Sequence, residues 1–597
     1  MAKNYAAPLA DMRFLLQTQT TRDIDDAMPL LDQAASFIEQ EWATVKTLGD
    51  IRGCTFDQGQ VTLPAEIKAA WIRYVDAGWM GITLPEPWGG QGLSATIGTF
   101  VGEMLSSANP ALSMIPALTM SACKAIIAFG SESLKQTYLP KMVAGEWTGT
   151  MCMTEAHCGS DLGLIRTTAT PLDEHRFTIT GTKIFISAGE HDGSANIIHL
   201  VLARIKGAPE GVKGLSLFLV PKWLPDSGHA TESGVANTVS CIGIEQKMGI
   251  HANPTCTMSF DAAQGFLVGR ANEGIKAMFT MMNEMRLGTA TQGVGLSECA
   301  FQESHAYATE RMQGKALDPA RRSANQADAL ISHADVRRML LTQKAFAEGG
   351  RALCLHCATL LDRAQAGGDE GQAAEKVLGL LTPIAKAFLT ETGLESASYA
   401  IQVRGGHGYI RDSGVEQIYR DGRISTLYEG TTGIQALDLL GRKVLGDQAQ
   451  TLLTFTKQIH QLCASIAQPD PPIDHSSHPA SGVVKSLAQA LHPYAREWPQ
   501  LAQQVGMRAL QDHDEVGAAA YDFLMYSGYV CLAYFWLRMA DAARADGLEV
   551  DPRFLSAKQK TATFYFDRLL PRAQFHKVAV QAGKAALSSF EDDQWSF

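Results

Sequence analysis

The sequence has few cysteines and no excess of basic residues. Eleven cysteines in 597 residues are too few and too scattered for a disulfide-stabilised scaffold, and they predict reduced thiols in a cytosol-like compartment. Lysine and arginine together number 51 against 62 aspartates and glutamates, which gives a formal net charge of −11. Because proteins that act mainly on nucleic acid usually carry a basic excess, this balance argues against nucleic-acid binding as the main function.

Long hydrophobic runs are also missing. The most apolar stretch, residues 523–537, is shorter than the roughly 20 residues that span a bilayer, so we expect a core helix and no stable membrane insertion. Residues 1–16 lack the charged segment followed by an apolar segment that is typical of a secretory signal. We therefore expect a cytoplasmic protein.

The sequence does not support a common nucleotide-binding, serine-hydrolase or metal-binding motif. Residues 90–95 match a loose G-x-G-x-x-A pattern, but Pro85 and Pro87 interrupt the strand that must precede a Rossmann turn, so a structural turn is favoured. There is neither a P-loop nor a Gly-x-Ser-x-Gly elbow. Cys354 and Cys357 have metal-like spacing without a second pair. Because they lie in an apolar helical run, we favour buried thiols and predict no metal site.

Residue patterns divide the chain into four zones. We expect an N-terminal extension and helical domain at residues 1–150, a β domain at 151–269, further helices at 270–446 and an appended helical domain at 447–597. Helices in the first zone are predicted at residues 30–48, 65–78, 95–107 and 134–144. Helices, then strands, then helices predict an α+β fold, not the alternating pattern of a doubly wound sheet.

The second zone consists of short apolar runs separated by turn signals. The runs at residues 176–180, 183–187, 197–204 and 215–220 predict a small β-sandwich or barrel. After it, the methionines at positions 278, 281, 282 and 285 follow the spacing of one helix face. Core packing is the favoured interpretation of that methionine stripe over a cofactor site.

Two segments carry residues suited to chemistry. Residues 151–161 combine hydroxyls and small residues where the β zone begins, and such a segment can offer donors to an anionic or heteroaromatic ligand. Further on, Glu429 precedes Thr431, which can cap a helix that runs from about Ile434. A carboxylate at a loop–helix junction beside apolar residues can be desolvated and act as a base. Taken alone, Glu429 is explained better as a surface or capping residue.

Together these segments resemble the acyl-CoA dehydrogenase family over residues 80–445. The matching motifs are LPEPWGGQGL at 84–93, TEAHCGSD at 154–161 (family TEPxxGSD), GTKIFIS at 181–187 (GxKxWIT), ERMQGK at 310–315 (ERxxFGK), and the last two signatures at 402–408 and 428–431. Several separate motifs in family order make chance a poor explanation.

The resemblance implies an N-terminal helical domain, a central β-barrel or sandwich and a C-terminal four-helix bundle. Both chain ends carry extra material, including the appended helices after residue 446. These extensions resemble the long bacterial branch, which includes broad-range acyl-CoA dehydrogenases and 3-methylmercaptopropionyl-CoA dehydrogenases.

The resemblance also implies a reaction. Glu429 matches the base that removes the α-proton of an acyl-CoA thioester, while a hydride leaves the β-carbon for flavin N5 of FAD and a trans-2-enoyl-CoA forms. The backbone N–H of Glu429 and a ribityl hydroxyl would polarise the thioester carbonyl. Gly430 would let the thioester approach the chain closely.

Further roles follow from the same resemblance. The FAD contacts would be Met153, Thr154, Gly159, Ser160, Phe185, Ser187, Arg311, Gln402, Gly405, Gly406, Thr431 and Gly433. The substrate contacts would be Ser160, Asn283, Arg286 and Gly430. Phe185 stands where the family usually has tryptophan, and Ser187 replaces its threonine. The segment at 310–315 is one residue shorter than the family pattern and lacks its phenylalanine, which puts the adenine contact in question.

The resemblance implies partners as well. Arg311 matches an arginine that meets the FAD pyrophosphate of a neighbouring subunit, so we expect a homodimer or a larger homo-oligomer. An electron-transfer flavoprotein is the expected electron acceptor. Two alternatives stay open at this point: an acyl-CoA oxidase on the same scaffold, and a DNA-associated flavoprotein, against which the −11 balance counts.

Overall fold

A computed structural model describes residues 5–20, 24–225, 234–468, 480–545 and 547–596. Contacts within the chain divide it into two compact units. One unit is Ser36–Gly288, and the other joins Met1–Ala35 to Thr289–Phe597. The four domain ranges expected from the sequence stay predictions.

The described residues form nineteen α-helices and eleven strands. The helices are α1 (Leu9–Gln19), α2 (Ile24–Phe37), α3 (Lys46–Arg52), α4 (Ala65–Asp76), α5 (Ala95–Ala108), α6 (Pro110–Phe129), α7 (Glu132–Ala144), α8 (Gly274–Glu310), α9 (Ala334–Ala366), α10 (Gly368–Arg404), α11 (Gly406–Tyr409), α12 (Val415–Gly422), α13 (Thr432–Leu437), α14 (Gln450–Ala467), α15 (Ala480–Ala509), α16 (Asp514–Ala542), α17 (Pro552–Phe564), α18 (Arg572–Ala582) and α19 (Ala585–Ser588). The strands are β1 (Thr55–Asp57), β2 (Gln60–Thr62), β3 (Trp147–Cys152), β4 (Thr168–Pro171), β5 (Arg176–Ser187), β6 (Asn196–Ile205), β7 (Leu215–Pro221), β8 (Trp223–Leu224), β9 (Val235–Ala236), β10 (Val239–Ile244) and β11 (Thr255–Val268).

Seven strands of the first unit form one sheet, and five of them close into a β-barrel. Strand β11 pairs with β5, β5 with β4, β4 with β6, β6 with β7, and β7 again with β11. Within this five-strand ring every strand is paired on both sides, as in a closed barrel. Strand β10 adds to β11, and β3 adds to β6 in parallel. Of the two expected architectures, the barrel is the one formed.

Strand β5 is longer than the sequence predicts. The runs at 176–180 and 183–187 form one strand, because Gly181 marks a bulge and not a turn. The pairing of β5 with β11 shifts register between Phe260 and Ala263, opposite this position. A Cβ on Gly181 would lie 2.4 Å from Thr167 Oγ1, so the close approach requires glycine.

The helices of the first unit follow the prediction with two corrections. The helix predicted at 30–48 is interrupted, because a π-helical turn at Ile38–Trp42 follows α2 and buries both of its end residues. Helix α6 was not predicted. Asn109 caps it and Pro110 begins it, but its residues are buried on nearly every side. It therefore lacks the amphipathic period that reveals a surface helix.

The second unit packs the bundle helices and the appended helices together. Helix α9 packs along α10, and α16 contacts both of them. Across these contacts the rings of Phe388 and Tyr529 lie 4.8 Å apart, edge to face. Trp536 Nε1 donates a hydrogen bond to the carbonyl of Ala345 at 3.1 Å. The appended helices therefore extend the core of the bundle. The linker that the proline-rich segment at 468–479 predicts lies almost wholly outside the described residues.

Several apolar and thiol features are buried as expected. The methionine stripe lies in the core of the first unit, and residues 523–537 lie buried in α16. All eleven cysteines are free thiols. Two helices, Pro110–Phe129 and Gly368–Arg404, are long and apolar enough to cross a membrane. This is weak evidence, since most of each apolar window is buried, as in the core helix of many proteins.

Candidate active site

Glu429 occupies a strained turn before helix α13. Its φ is +56°, a left-handed conformation that a non-glycine residue adopts only at a cost, and Gly430 follows with φ +92°. A Cβ on Gly430 would lie 2.3 Å from Gln435 Nε2, so this position requires glycine. The half-buried Glu429 side chain is therefore presented by a specifically shaped backbone.

Two buried side chains hold this turn. Lys386, fully buried on α10, donates from Nζ to the carbonyls of Gly430 at 2.7 Å and Ser425 at 2.9 Å. Gln435 donates from Nε2 to the carbonyl of Glu429 at 3.1 Å. Because buried carbonyls without partners are costly, these bonds stabilise the turn on both sides of the carboxylate.

The residues around Glu429 complete the support. Thr431 caps α13, because its Oγ1 accepts the N–H of Ile434 at 3.2 Å, as the sequence predicts. Tyr428 donates its hydroxyl to Gln292 Oε1. Burial raises the pKa of Tyr428, and the Glu429 carboxylate raises it further, so this hydroxyl stays protonated and keeps its donor role.

In the first unit, the predicted flavin segment is held by a buried ion pair. Lys183 on β5 is fully buried and donates to Glu155 Oε1 at 2.9 Å and to the carbonyl of Met153 at 3.0 Å. The N–H of Ile184 donates to the carbonyl of Thr154 at 2.9 Å. Burial raises the pKa of Glu155, but the Lys183 ammonium and hydrogen bonds from Thr167 and the backbone of Arg166 together lower it, so the net pKa is lowered. The segment 153–155 is thus fixed beside β5.

Phe185 is the unusual residue of this strand. Its φ is +60°, and its ring is 59% exposed although most of the strand is at least partly buried. A strained backbone that presents an aromatic ring to the outside fits a flat ring ligand. Ser187 on the same strand is partly buried, while Gly159 and Ser160 are exposed in the loop that follows β3.

In the second unit, Tyr307, one helical turn before Arg311, contacts the end of α10, where Gln402 lies, and the start of α11. The N–H of Arg311 donates to the carbonyl of Tyr307 at 2.8 Å, and the Tyr307 ring lies 6.5 Å from that of His407. The guanidinium of Arg404 lies 5.3 Å from the same ring. Four of the predicted FAD contacts are exposed on the described chain: Arg311, Gln402, Gly405 and Gly406. Gly433 is exposed as well, beside the Glu429 turn.

Arg286 and Asn283 lie on α8. Arg286 is buried, Nη1 donates to Asn283 Oδ1 at 3.4 Å, and its guanidinium lies 5.9 Å from the Phe279 ring. A cation held in this way keeps its charge inside the protein while its apolar stem packs.

One side-chain cluster has the residue types of a metal site. The ligand atoms of Glu155, His157 and Cys158 lie within 4.8 Å of one another. Glu155 already accepts from Lys183 and Thr167, and His157 Nε2 is 2.8 Å from the carbonyl of Leu164. Hydrogen bonds and an ion pair within the protein therefore explain the positions of Glu155 and His157 without a metal ion. The other metal-like pair, Cys354 and Cys357, is buried in α9.

The chain matches family models along almost its whole length. The N-terminal domain of acyl-CoA dehydrogenase matches residues 26–146, the middle domain 150–263 and the C-terminal domain 272–445. A model described as acetyl-CoA dehydrogenase C-terminal like matches residues 455–591. The chain belongs to the acyl-CoA dehydrogenase family.

Two relatives are similar to this chain over nearly their full length. The 3-methylmercaptopropionyl-CoA dehydrogenase of Ruegeria pomeroyi is 40% identical over 95% of this chain and 96% of its own. The broad-specificity linear acyl-CoA dehydrogenase FadE5 of Mycobacterium tuberculosis is 33% identical over 92% of this chain and 91% of its own.

Solved structures agree in fold. Caenorhabditis elegans ACDH-11 in complex with C11-CoA has a TM-score of 0.78 at 19% identity and covers 95% of this chain and 91% of its own. A Bacillus anthracis acyl-CoA dehydrogenase complexed with FAD has a TM-score of 0.74 at 19% identity and covers 97% and 92%. At these identities the likeness shows the fold alone.

These findings confirm the expected acyl-CoA dehydrogenase fold with its extra C-terminal helical region. Since the family is FAD-dependent, the chain is an FAD-dependent acyl-CoA dehydrogenase by class, an oxidoreductase and a flavoprotein. The structure fits this cofactor, because the exposed ring of Phe185 and the exposed loop at Gly405 are the kinds of surface that it needs. The individual residue roles stay predictions.

Sequence reasoning missed the residues that hold the site. Four residues receive no role from the sequence, although they bond to the Glu429 turn or to the flavin segment. They are Lys386, Gln435, Gln292 and Lys183. One signal was available for Lys386, a single lysine within the apolar run of residues 384–389. A lysine at such a place is seldom buried without a partner.

Proposed function

We propose that the enzyme oxidises an acyl-CoA thioester to the trans-2-enoyl-CoA, with Glu429 as the base that takes the α-proton. The observation that carries the proposal is the left-handed Glu429–Gly430 turn, fixed by Lys386 and Gln435. Strain of this kind persists only where surrounding contacts enforce it, and it is typical of functional sites.

The residues of this chain supply position and proton transfer. Glu429 holds the α-proton on a carboxylate oxygen after abstraction, and its backbone N–H polarises the thioester carbonyl. FAD supplies the acceptor for the hydride that leaves the β-carbon. Gly430 leaves room beside the base for the thioester. Arg286 and Asn283 are the proposed substrate-side residues on α8, together with Ser160.

The proposed FAD contacts fall into two groups. Met153, Thr154, Gly159, Ser160, Phe185 and Ser187 belong to the first unit, and Thr431 and Gly433 flank the base in the second. Arg311 would hold the FAD pyrophosphate of a neighbouring subunit, which is why we propose a homodimer or larger assembly. Gln402, Gly405 and Gly406 would close over the adenosine end of FAD. Their exposure on the described chain supports this part of the proposal.

The decisive experiment replaces Glu429 with glutamine. Glu429→Gln removes the base while keeping the shape, so the protein should retain yellow FAD absorbance but lose acyl-CoA dehydrogenation by a factor of at least roughly 10³. Glu132→Gln, at a glutamate whose side chain is 72% exposed, serves as the control and should keep wild-type activity. Full activity of Glu429→Gln with every accepted acyl-CoA would show that another group is the base.

The acceptor and the substrate need separate measurements. Stopped-flow reoxidation tests the proposed electron-transfer flavoprotein, since fast reoxidation by O₂ would indicate an oxidase instead. A panel with 3-methylmercaptopropionyl-CoA, butyryl-CoA and longer linear acyl-CoAs defines the substrate, and steady-state product analysis tests a place in β-oxidation. Salt-sensitive duplex binding would support the DNA-associated alternative. The cytoplasmic location stays part of the proposal and is supported by the free thiols.

A further inference from the structure

A cleft separate from the candidate active site lies in the unit that contains the bundle and the appended helices. It has a volume of about 520 Å³ and is formed by residues 317–321, the first turns of α9 and the end of α17 with the residues that follow it. This volume falls in the range of roughly 300–1,000 Å³ that small-molecule sites occupy. Neither the Glu429 turn nor the proposed flavin contacts belong to its lining.

Four arginines line this cleft: Arg321, Arg337, Arg338 and Arg568. We call it the arginine cleft. Two aspartates share the lining, which leaves a formal charge of +2 on the wall of a protein whose net charge is −11. Such a local reversal of sign concentrates anions at one place on the surface.

Two of the four arginines form ion pairs with aspartates, and the other two form no ion pair within the described residues. Arg321 pairs with Asp318 at 3.4 Å, and Arg338 pairs with Asp335 at 2.8 Å. Arg338 also donates to the Tyr399 hydroxyl at 3.3 Å. Arg337 and Arg568 form no ion pair with any residue in the described part of the chain. The cleft therefore has two guanidinium groups available to a ligand.

The like charges in the cleft are close enough to affect each other. Arg337 is half-buried, and burial together with the positive charge of Arg321 lowers its pKa. A bound anion relieves such repulsion, because its charge compensates both guanidinium groups. Beside the charges, Phe564 and Leu317 supply apolar surface, and Leu317 is 90% exposed.

We propose that the arginine cleft binds the diphosphate of an adenine nucleotide, with the base against Phe564 and Leu317. A guanidinium fork binds two phosphate oxygens at once, so Arg337 and Arg568 suit a ligand with two linked phosphates. An aromatic base explains why apolar side chains adjoin the charges. The adenosine 5′-diphosphate group occurs as free ADP and, with an added 3′-phosphate, within CoA, and both sources are tested.

The test is calorimetric titration of the full-length, FAD-loaded enzyme with ADP, CoA and inorganic pyrophosphate. ADP should bind, pyrophosphate should bind more weakly, and R337Q/R568Q should weaken ADP binding at least roughly tenfold with unchanged FAD content. The control R52Q/R176Q removes two arginine charges on the other unit, where both are partly exposed, and should bind like the wild type. Tighter binding of CoA than of ADP at the cleft would identify the ADP group of CoA as the ligand, and tighter binding of ADP would identify the free nucleotide.

Three results would overturn the proposal. One is the absence of ADP binding by the wild type at millimolar concentration. Another is equal ADP binding by R337Q/R568Q, which would place the nucleotide at the substrate site. The third is loss of FAD from that variant, which would assign the cleft to the cofactor. Should R337Q/R568Q not fold, R337K/R568K keeps the charge without the fork and should still weaken ADP binding severalfold. Equal binding by that variant would also contradict the proposal.

Discussion

The carboxylate of Asp11 forms an ion pair with Nζ of Lys558, although the two residues stand near opposite ends of the chain. Asp11 lies on α1 and also pairs with Arg351 on α9, while Lys558 on α17 reaches Glu348 at 2.7 Å. All four side chains are at least 94% buried. Burial raises the pKa of Glu348, but the ammonium groups of Lys558 and Lys344 lower it to about 2. The N-terminal extension and the appended helices are therefore joined to the bundle through one buried charge cluster.

We predict that Asp11→Asn destabilises this unit by about 3–5 kcal/mol, because it removes a carboxylate that Arg351 and Lys558 share and leaves the buried cluster with an excess positive charge. Urea unfolding of the holoenzyme, followed by circular dichroism, measures the change. The matched control is Arg13→Gln on the same helix. Arg13 pairs with Glu549 at 3.2 Å, but the side chains are 30% and 69% exposed, so its loss should cost less than about 1 kcal/mol. Equal effects of the two substitutions would refute the role of the buried cluster.

Much of the fold is predictable because local signals agree with it. The caps at Ser94 and Ser131 and the Thr431 cap mark helix starts within a few residues, since a capping side chain must stand where the first N–H groups lack partners. Helix α6 and the π-helical turn after α2 are not predictable in this way. Burial on all sides hides the helical period, and a π turn has no sequence signature of its own.

The candidate site, like the fold, is only partly predictable from the sequence. The motifs identify Glu429 and Phe185 as positions of interest, because each belongs to a signature with a chemical function. They do not show that both residues have left-handed backbones or that Lys386 supports the first of them. Those features depend on contacts between residues that are distant in the sequence, and a single sequence does not contain them.

Replacement of Phe185 separates backbone strain from the function of the ring. Phe185→Gly removes the cost of a left-handed non-glycine residue, so the apoprotein should become more stable by roughly 0.5–1 kcal/mol. Because the aromatic surface is lost, FAD should bind at least about tenfold more weakly. Phe185→Trp keeps a ring and should retain the flavin. Thermal unfolding of apoprotein and flavin fluorescence titration measure the two effects, and unchanged FAD affinity of Phe185→Gly would exclude ring contact.

Lys386 is predicted to act as a positioning residue for Glu429. Lys386→Met keeps the volume but leaves the carbonyls of Ser425 and Gly430 without their donor, so kcat should fall at least about tenfold with FAD retained. Because proton abstraction becomes slower, the isotope effect with α-deuterated acyl-CoA should increase. Lys376→Met, at an exposed position of the same helix, is the control. A decrease in kcat without any change in the isotope effect would indicate a structural role only.

The barrel unit is predicted to lose stability in mild acid through His191. This residue is buried, its Nδ1 accepts the N–H of Gly193 at 3.1 Å, and Nε2 lies 3.1 Å from Thr148 Oγ1. Burial, and then the charge of Lys222, lowers its pKa to about 4, against roughly 6.5 in the unfolded chain. Folding therefore favours the neutral ring. The stability that it contributes is complete above about pH 6.5 and is lost as the pH falls towards 4.

Between pH 7.5 and 5.0 this linkage should remove about 2 kcal/mol of unfolding free energy. Urea midpoints of wild type and His191→Asn at the two pH values measure it, and the variant should show a smaller pH dependence even if it is less stable at both. A remaining slope is expected from His199, whose pKa burial lowers to about 3. His175→Asn, at an exposed position, should keep the wild-type slope. If His191→Asn keeps that slope too, His191 does not titrate on unfolding and another group causes the acid sensitivity.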